Sequence, residues 1–279
     1  MAQISIDDIL GELIPSPPFI YRKLQEVLND PDSNIEDISG VINVDPGLTT
    51  RLLKIVNSPF YGLSSEVDSI SHAINILGTE QLVDLVLATE VMNKFRGIPR
   101  DMIDLEEFWK HSIACGLASR MIAKKMNEQK PERFYLAGML HDIGTLILCK
   151  EVPSTARECL AQSTYKGEHL YKTETSILGF NHADLGRALL KKWSLPERTV
   201  EAVGFHHTPL QAKSHPRFAT IVHVADIMAY EMKVGNSGEP FIPPISIQVL
   251  EHLEIKKDTV DKIKKDIAGE VGKIMQKLG

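Results

Sequence analysis

At 279 residues, with 43% hydrophobic and 24% charged side chains, the chain has the profile of a folded globular protein, long enough for one large core or two ordinary ones. Its formal net charge of −6, with lysines and arginines scattered, argues against a surface that grips nucleic acid by its phosphates. No apolar run approaches the roughly 20 residues of a membrane span, and Met1–Asp8 lacks the basic-then-apolar order of a signal peptide. The three cysteines (Cys115, Cys149, Cys159) share no metal-type spacing, so reduced thiols in a cytoplasmic protein are expected.

Taken in chain order, the predicted elements are helices. Leu24, Val27 and Leu28 open a series of apolar residues at three- and four-residue spacing, continued by Leu48, Leu52, Leu53 and Val56 and then by Leu82, Leu85 and Val86. Asp45-Pro46 offers an N-cap followed by proline at the first helical position, and Gly78 offers a stop before a new start at Thr79. The pattern lapses at Arg96-Gly97-Ile98-Pro99-Arg100-Asp101, which places a junction between an N-terminal subdomain, 1–98, and a second domain, 99–279. Asp104 with Glu107 resembles a capping box without the hydroxyl, and Asn181, Pro196 and Asp258 mark later starts. Gly235-Asn236-Ser237-Gly238-Glu239-Pro240, with Pro243-Pro244 after it, reads as an exposed loop. The final helix carries Val260, Ile263, Ile267, Val271, Ile274 and Leu278 on one stripe, with charges opposite. An all-α protein is expected.

Seven metal-competent residues stand out in the second half: His111, His141, Asp142, His182, His206, His207 and Asp226. Imidazole and carboxylate together suit iron, manganese or zinc. Neighbours on a helix lie about 100° apart, so His141-Asp142 and His206-His207 can each converge only at a helix end or bend. Gly144 and Thr208-Pro209 follow the two pairs closely enough to supply such ends. Asp226 sits in a buried-looking run, Val224-Ala225-Asp226-Ile227-Met228, and requires a partner there; a salt bridge to an arginine is the bland alternative to metal. His72, His169, His215 and His252 carry the bland reading of packed or capping histidines.

The segment Phe134-Tyr135-Leu136-Ala137-Gly138-Met139-Leu140-His141-Asp142-Ile143-Gly144 resembles the central signature of the HD superfamily of metal-dependent phosphohydrolases. The order His111, His141-Asp142, His182, His206-His207, Asp226 is similar to the ligand order of its binuclear HD-GYP branch, which implies a divalent metal site of one or two ions, with Asp142 placed to bridge two. Across roughly residues 10 to 255 the chain resembles the HDOD family: Ile14-Pro15-Ser16-Pro17-Pro18, Asp45 to Ser58 and Ser69 to Gly78 match its N-terminal half, Trp193 to Glu197 and Phe205 to Pro209 its C-terminal half. The resemblance implies an N-terminal helical bundle subdomain beside an HD-domain-like helical bundle.

Two departures from the HD-GYP pattern bear on activity. Where those enzymes follow the His-Asp pair with Ile-Gly-Lys, this chain has Thr145, and a neutral hydrogen bond to phosphate is roughly half as strong as a charge-assisted one. After His206-His207 comes Thr208-Pro209-Leu210, without the Gly-Tyr-Pro of that branch. The expectation is a regulatory signalling module with a metal site on a degenerate phosphohydrolase scaffold, acting through protein partners or a nucleotide ligand. The alternative is a metal-dependent phosphohydrolase acting on cyclic dinucleotides or nucleotides, in which case Asp142 is the catalytic residue. A metal-free helical scaffold is the third reading.

Overall fold

The structure, a computed structural model, describes residues 4–11, 16–58, 61–95, 97–241 and 244–278, with backbone alone at 267 and 269–278. Ile14, Pro15, Arg96 and Pro243 lie outside the described residues, as do the side chains of Ile267, Val271, Ile274 and Leu278. Every regular element among the described residues is helical, as the apolar period predicts. The chain forms two compact units, a larger one of residues 1–15 and 95–268 and a smaller one of residues 16–94 and 269–279.

The larger unit opens with α1 (Ile6–Gly11), whose Leu10 carbonyl accepts from Lys192. The smaller unit follows with α2 (Phe19–Leu28), α3 (Ile35–Asn43), α4 (Pro46–Val56), α5 (Ile70–Leu77) and α6 (Thr79–Lys94). Asp45 caps α4 by accepting from Leu48 N–H, with proline at the first helical position, and Gly78 closes α5. Leu24, Ile42, Leu48, Leu52, Val56, Leu82 and Val86 are fully buried and form this unit's core.

The rest of the larger unit is built on α7 (Leu105–Lys125), α8 (Arg133–Leu140), α9 (Ile143–Glu151), α10 (Pro153–Lys166), α11 (Leu170–Leu178), α12 (His182–Lys192), α13 (Glu197–Phe205), α14 (Pro216–Glu231), α15 (Ile247–His252) and the first part, to residue 268, of α16 (Lys257–Leu278). Asp104 starts α7 by accepting from the N–H groups of Glu106 and Glu107, and Asn181 starts α12 in a reciprocal capping box with Asp184. Helices α8 and α9 are apolar on all sides and lie inside the unit, walled by α7, α12, α13 and α14. Two glycines set how closely these helices approach. A Cβ at Gly138 would lie 2.9 Å from the Gly116 Cα and 2.8 Å from the Cys115 carbonyl, so α8 and α7 cross nearly backbone to backbone. A Cβ at Gly144 would overlap the His182 carbonyl, so α9 meets the start of α12 without a side chain between them. Phe134 and Phe218 stack at 3.9 Å and fasten α8 to α14.

Candidate metal centre

The close crossings bring all seven expected residues to one buried place in the larger unit. The adjacent pairs do sit at helix ends. His141 is the C-cap of α8 and Asp142 the residue before α9, while His206 caps α13 and His207 follows it. Gly144 is not the stop signal expected from the sequence. It lies within the first turn of α9, and its service is the close approach to His182. Among the described residues Asp226 pairs with histidines and with no arginine; its Oδ1 lies 2.9 Å from His111 Nε2 and 3.4 Å from His141 Nε2.

Asp142 stands at the centre. Its Oδ2 is 3.1 Å from His141 Nε2 and 4.0 Å from His111 Nε2, while its Oδ1 is 3.4 Å from His182 Nε2 and 3.3 Å from His206 Nε2. The donor atoms fall into two groups, Asp142 with His182, His206 and His207, and His111 with His141 and Asp226; within each, the atoms lie within 4.8 Å of one another. The His182 and His207 Nε2 atoms are 2.8 Å apart.

The far nitrogen of three rings is already engaged. His141 Nδ1 donates to the Gly138 carbonyl at 2.7 Å, His206 Nδ1 to the Val203 carbonyl at 2.7 Å, and His182 Nδ1 to Glu174 Oε2 at 2.6 Å. Each acceptor fixes a hydrogen on Nδ1 and turns Nε2 toward Asp142. The Nε2 atoms of His141 and His206 are fully buried and make no hydrogen bond of acceptable geometry. A buried polar atom left so costs about 1–3 kcal/mol, and two of them facing one carboxylate form a donor set that fits a divalent cation.

The electrostatics agree. Burial alone would raise the Asp142 carboxyl, but His141, His182 and His206 around it hold it well below the usual carboxylate range. Burial likewise opposes the charge on Asp226, and His111 and His141 pull its carboxyl down. Burial and the neighbouring imidazoles keep His207 well below the ordinary histidine value, so it is a neutral ligand type.

Sequence reasoning missed four residues that shape this place. Glu174, 2% exposed, accepts from both the ring and the main-chain N–H of His182. His223 Nδ1 donates to the His206 carbonyl at 2.6 Å and steadies the α13 end. Tyr230 lies against the His111 ring at 4.5 Å, and burial keeps its phenol well above the ordinary value. Glu239 lines the same cavity, and burial pushes its carboxyl up to about 8. The loop that carries it is not simply exposed as expected, since Ser237 is 2% exposed and the loop lies over the cluster. His72, His215 and His252 stay outside, and His169 packs on Tyr171 and Phe241 at the rim.

A cavity of about 10 Å³, room for a single water, is lined by Asp142, Thr145, His182, His207, Asp226 and Tyr230, closed off by Leu170, Ser237 and Glu239. Among the described residues, no lysine or arginine lines it.

Comparison with known proteins places this architecture. The chain resembles the solved structure of a candidate phosphohydrolase from Shewanella amazonensis SB2B, with TM-score 0.77 and 23% identity over 100% of this chain and 99% of that one. It resembles equally an HDOD domain protein of unknown function from Geobacter sulfurreducens, with TM-score 0.73 and 24% identity over 95% and 91% of the two chains. Among curated proteins, an uncharacterized protein of Treponema pallidum (strain Nichols) is 26% identical over 204 residues, 73% of this chain. The uncharacterized protein YuxH of Bacillus subtilis (strain 168) is 26% identical over 150 residues, 54% of this chain. The matched regions span 39% and 36% of those relatives' own lengths. The model of the HDOD domain matches residues 14–209, more than two thirds of the sequence. The chain belongs to the HDOD domain family.

Proposed function

We propose that this HDOD protein is a regulatory module whose His/Asp cluster holds divalent metal. The observation that carries the reading is the convergence of the His141, His182 and His206 Nε2 atoms on Asp142, with every opposite ring nitrogen engaged by an acceptor. Asp142, His182, His206 and His207 would hold one ion and His111, His141 and Asp226 a second, with Asp142 between them. Iron, manganese and zinc all suit this donor set. Such ions, when bound, supply Lewis acidity toward a phosphoryl or carboxyl oxygen.

A regulatory role is favoured over turnover by what surrounds the cluster. Thr145 offers a hydroxyl where a phosphate-handling enzyme would use a cation, and among the described residues no lysine or arginine lines the cavity. The 16–94 unit, without a metal-competent cluster among its described residues, is the proposed surface for a signalling partner. The complete donor set favours a second reading, a phosphohydrolase acting on nucleotides or cyclic dinucleotides.

Elemental analysis of the full chain purified without chelator tests the metal. At least one equivalent of iron, manganese or zinc is expected, and less than about 0.1 equivalent sinks the reading. Incubation with manganese and cyclic dinucleotides separates the two roles: no turnover is expected, and hydrolysis abolished by Asp142→Ala would establish the enzyme.

A further inference from the structure

Resting on the reading of the cluster as a metal site, we propose that Val234–Phe241 is a self-inhibitory strap. In it the Glu239 carboxyl oxygens occupy the position that an oxyanion group of the ligand takes when the strap lifts.

The strap is fastened at four places around the cluster. Gly235 has φ of +70°, and a Cβ there would overlap the Glu107 carbonyl and the His111 amide, so the strap's backbone lies on the turn of α7 that carries His111. Asn236 N–H donates to the Glu107 carbonyl at 3.0 Å. The Ser237 and Tyr230 hydroxyls share a 2.8 Å hydrogen bond, and Glu239 N–H donates to the Tyr230 oxygen at 3.1 Å. The Glu239 carboxylate accepts from Leu170 N–H, at 3.1 and 3.0 Å to its two oxygens, and from Phe241 N–H at 3.2 Å.

Three features make this a closure instead of a fixed wall. The cavity that these residues line has room for about one water, so seating a phosphate group within it against Asp142 requires them to move. The fastenings are mostly single hydrogen bonds, with Phe241 44% exposed and resting edge-on against His169, so local opening is cheap beside unfolding of the helices. Gly238, at φ of +97°, gives the strap a second hinge next to Glu239. The place held by Glu239 is itself suited to an anion. It combines a main-chain N–H at the start of α11 with the mouth of a site that gathers cations, yet the occupant is a carboxylate of the protein's own chain. An entering oxyanion would exchange with that carboxylate.

The test uses the full chain loaded with manganese, with metal content measured for each variant, and inorganic phosphate as probe, read from manganese-induced broadening of its phosphorus-31 resonance. A strap closed about nine-tenths of the time lowers apparent affinity about tenfold. Glu239→Gln and Glu239→Ala are therefore expected to keep their manganese and bind phosphate about 10-fold more tightly than the parent. Parent-level or weaker binding at full manganese overturns the strap, as does loss of manganese from Glu239→Gln, which would make Glu239 a ligand. Amide exchange gives a readout without metal. Exchange at Leu170 should quicken in Glu239→Ala and slow again on adding phosphate; a rate that phosphate leaves unchanged overturns the proposal. If the parent holds no manganese while phosphate still protects Leu170 in the variant, the metal reading falls and the strap stands.

Discussion

Glu174 grips His182 twice, through Nδ1 at 2.6 Å and the main-chain N–H at 2.8 Å, and is buried. Its carboxylate sets the tautomer and strengthens the ring as an electron donor, so removing its charge weakens the ligand without touching the metal's place. Glu174→Gln should lower zinc or manganese affinity about 10- to 100-fold, measured by competition with a chelator of known affinity. An unchanged affinity would show that Glu174 only packs. The histidines and aspartates were readable from the sequence as a set, because their order resembles the HD-GYP ligand order and the two adjacent pairs make chemical sense at helix ends. Glu174 left a fainter trace: Leu170, Glu174 and Leu178 follow at four-residue spacing, which puts a carboxylate on the buried stripe of α11. Glu239 left none, since it reaches the cavity from a loop with no period to read.

Three helix starts made by side-chain caps were visible in the sequence, and the start of α9, fixed by burial, was not. Asp45, Asp104 and Asn181 each accept main-chain N–H groups at the helix they begin. By contrast α9 begins at Asp142 with no cap bond, because that carboxylate is turned toward the histidines. The break between α8 and α9 is thus set by tertiary contacts, and Gly144 could be misread as a stop when its actual duty is to let α9 touch the backbone of α12. Gly144→Ala should force these helices apart and cost about 3 kcal/mol or more, measured by urea unfolding. A loss below about 1 kcal/mol would mean that the crossing adjusts freely and does not hold His182 in register with Asp142.

At the level of the whole chain, every residue of the candidate centre belongs to the 95–268 portion of the larger unit, contributed from both ends of that stretch, His111 and Asp226. The compact units divide after Lys94, with residues 1–15 grouped with the larger unit and 269–279 with the smaller, whereas the sequence suggests a single junction after residue 98. Ions held by residues so distant in sequence bind the folded unit and not the extended chain, so they add stability by mass action. At free metal about 100 times the dissociation constant the gain is about 2.7 kcal/mol, which for a unit of this size corresponds to roughly 5–10 °C in Tm. Stripping the metal with a chelator should lower the calorimetric transition of the full chain by that amount, and restoring manganese or zinc should recover it. Amide exchange should assign the loss to α7–α14, where α8 and α9 carry the central pair, while residues 16–94 keep their protection. A protein that releases bound metal with no change in Tm would contradict this, since six buried polar groups gathered with His207 at one place would not lose a bound cation without cost.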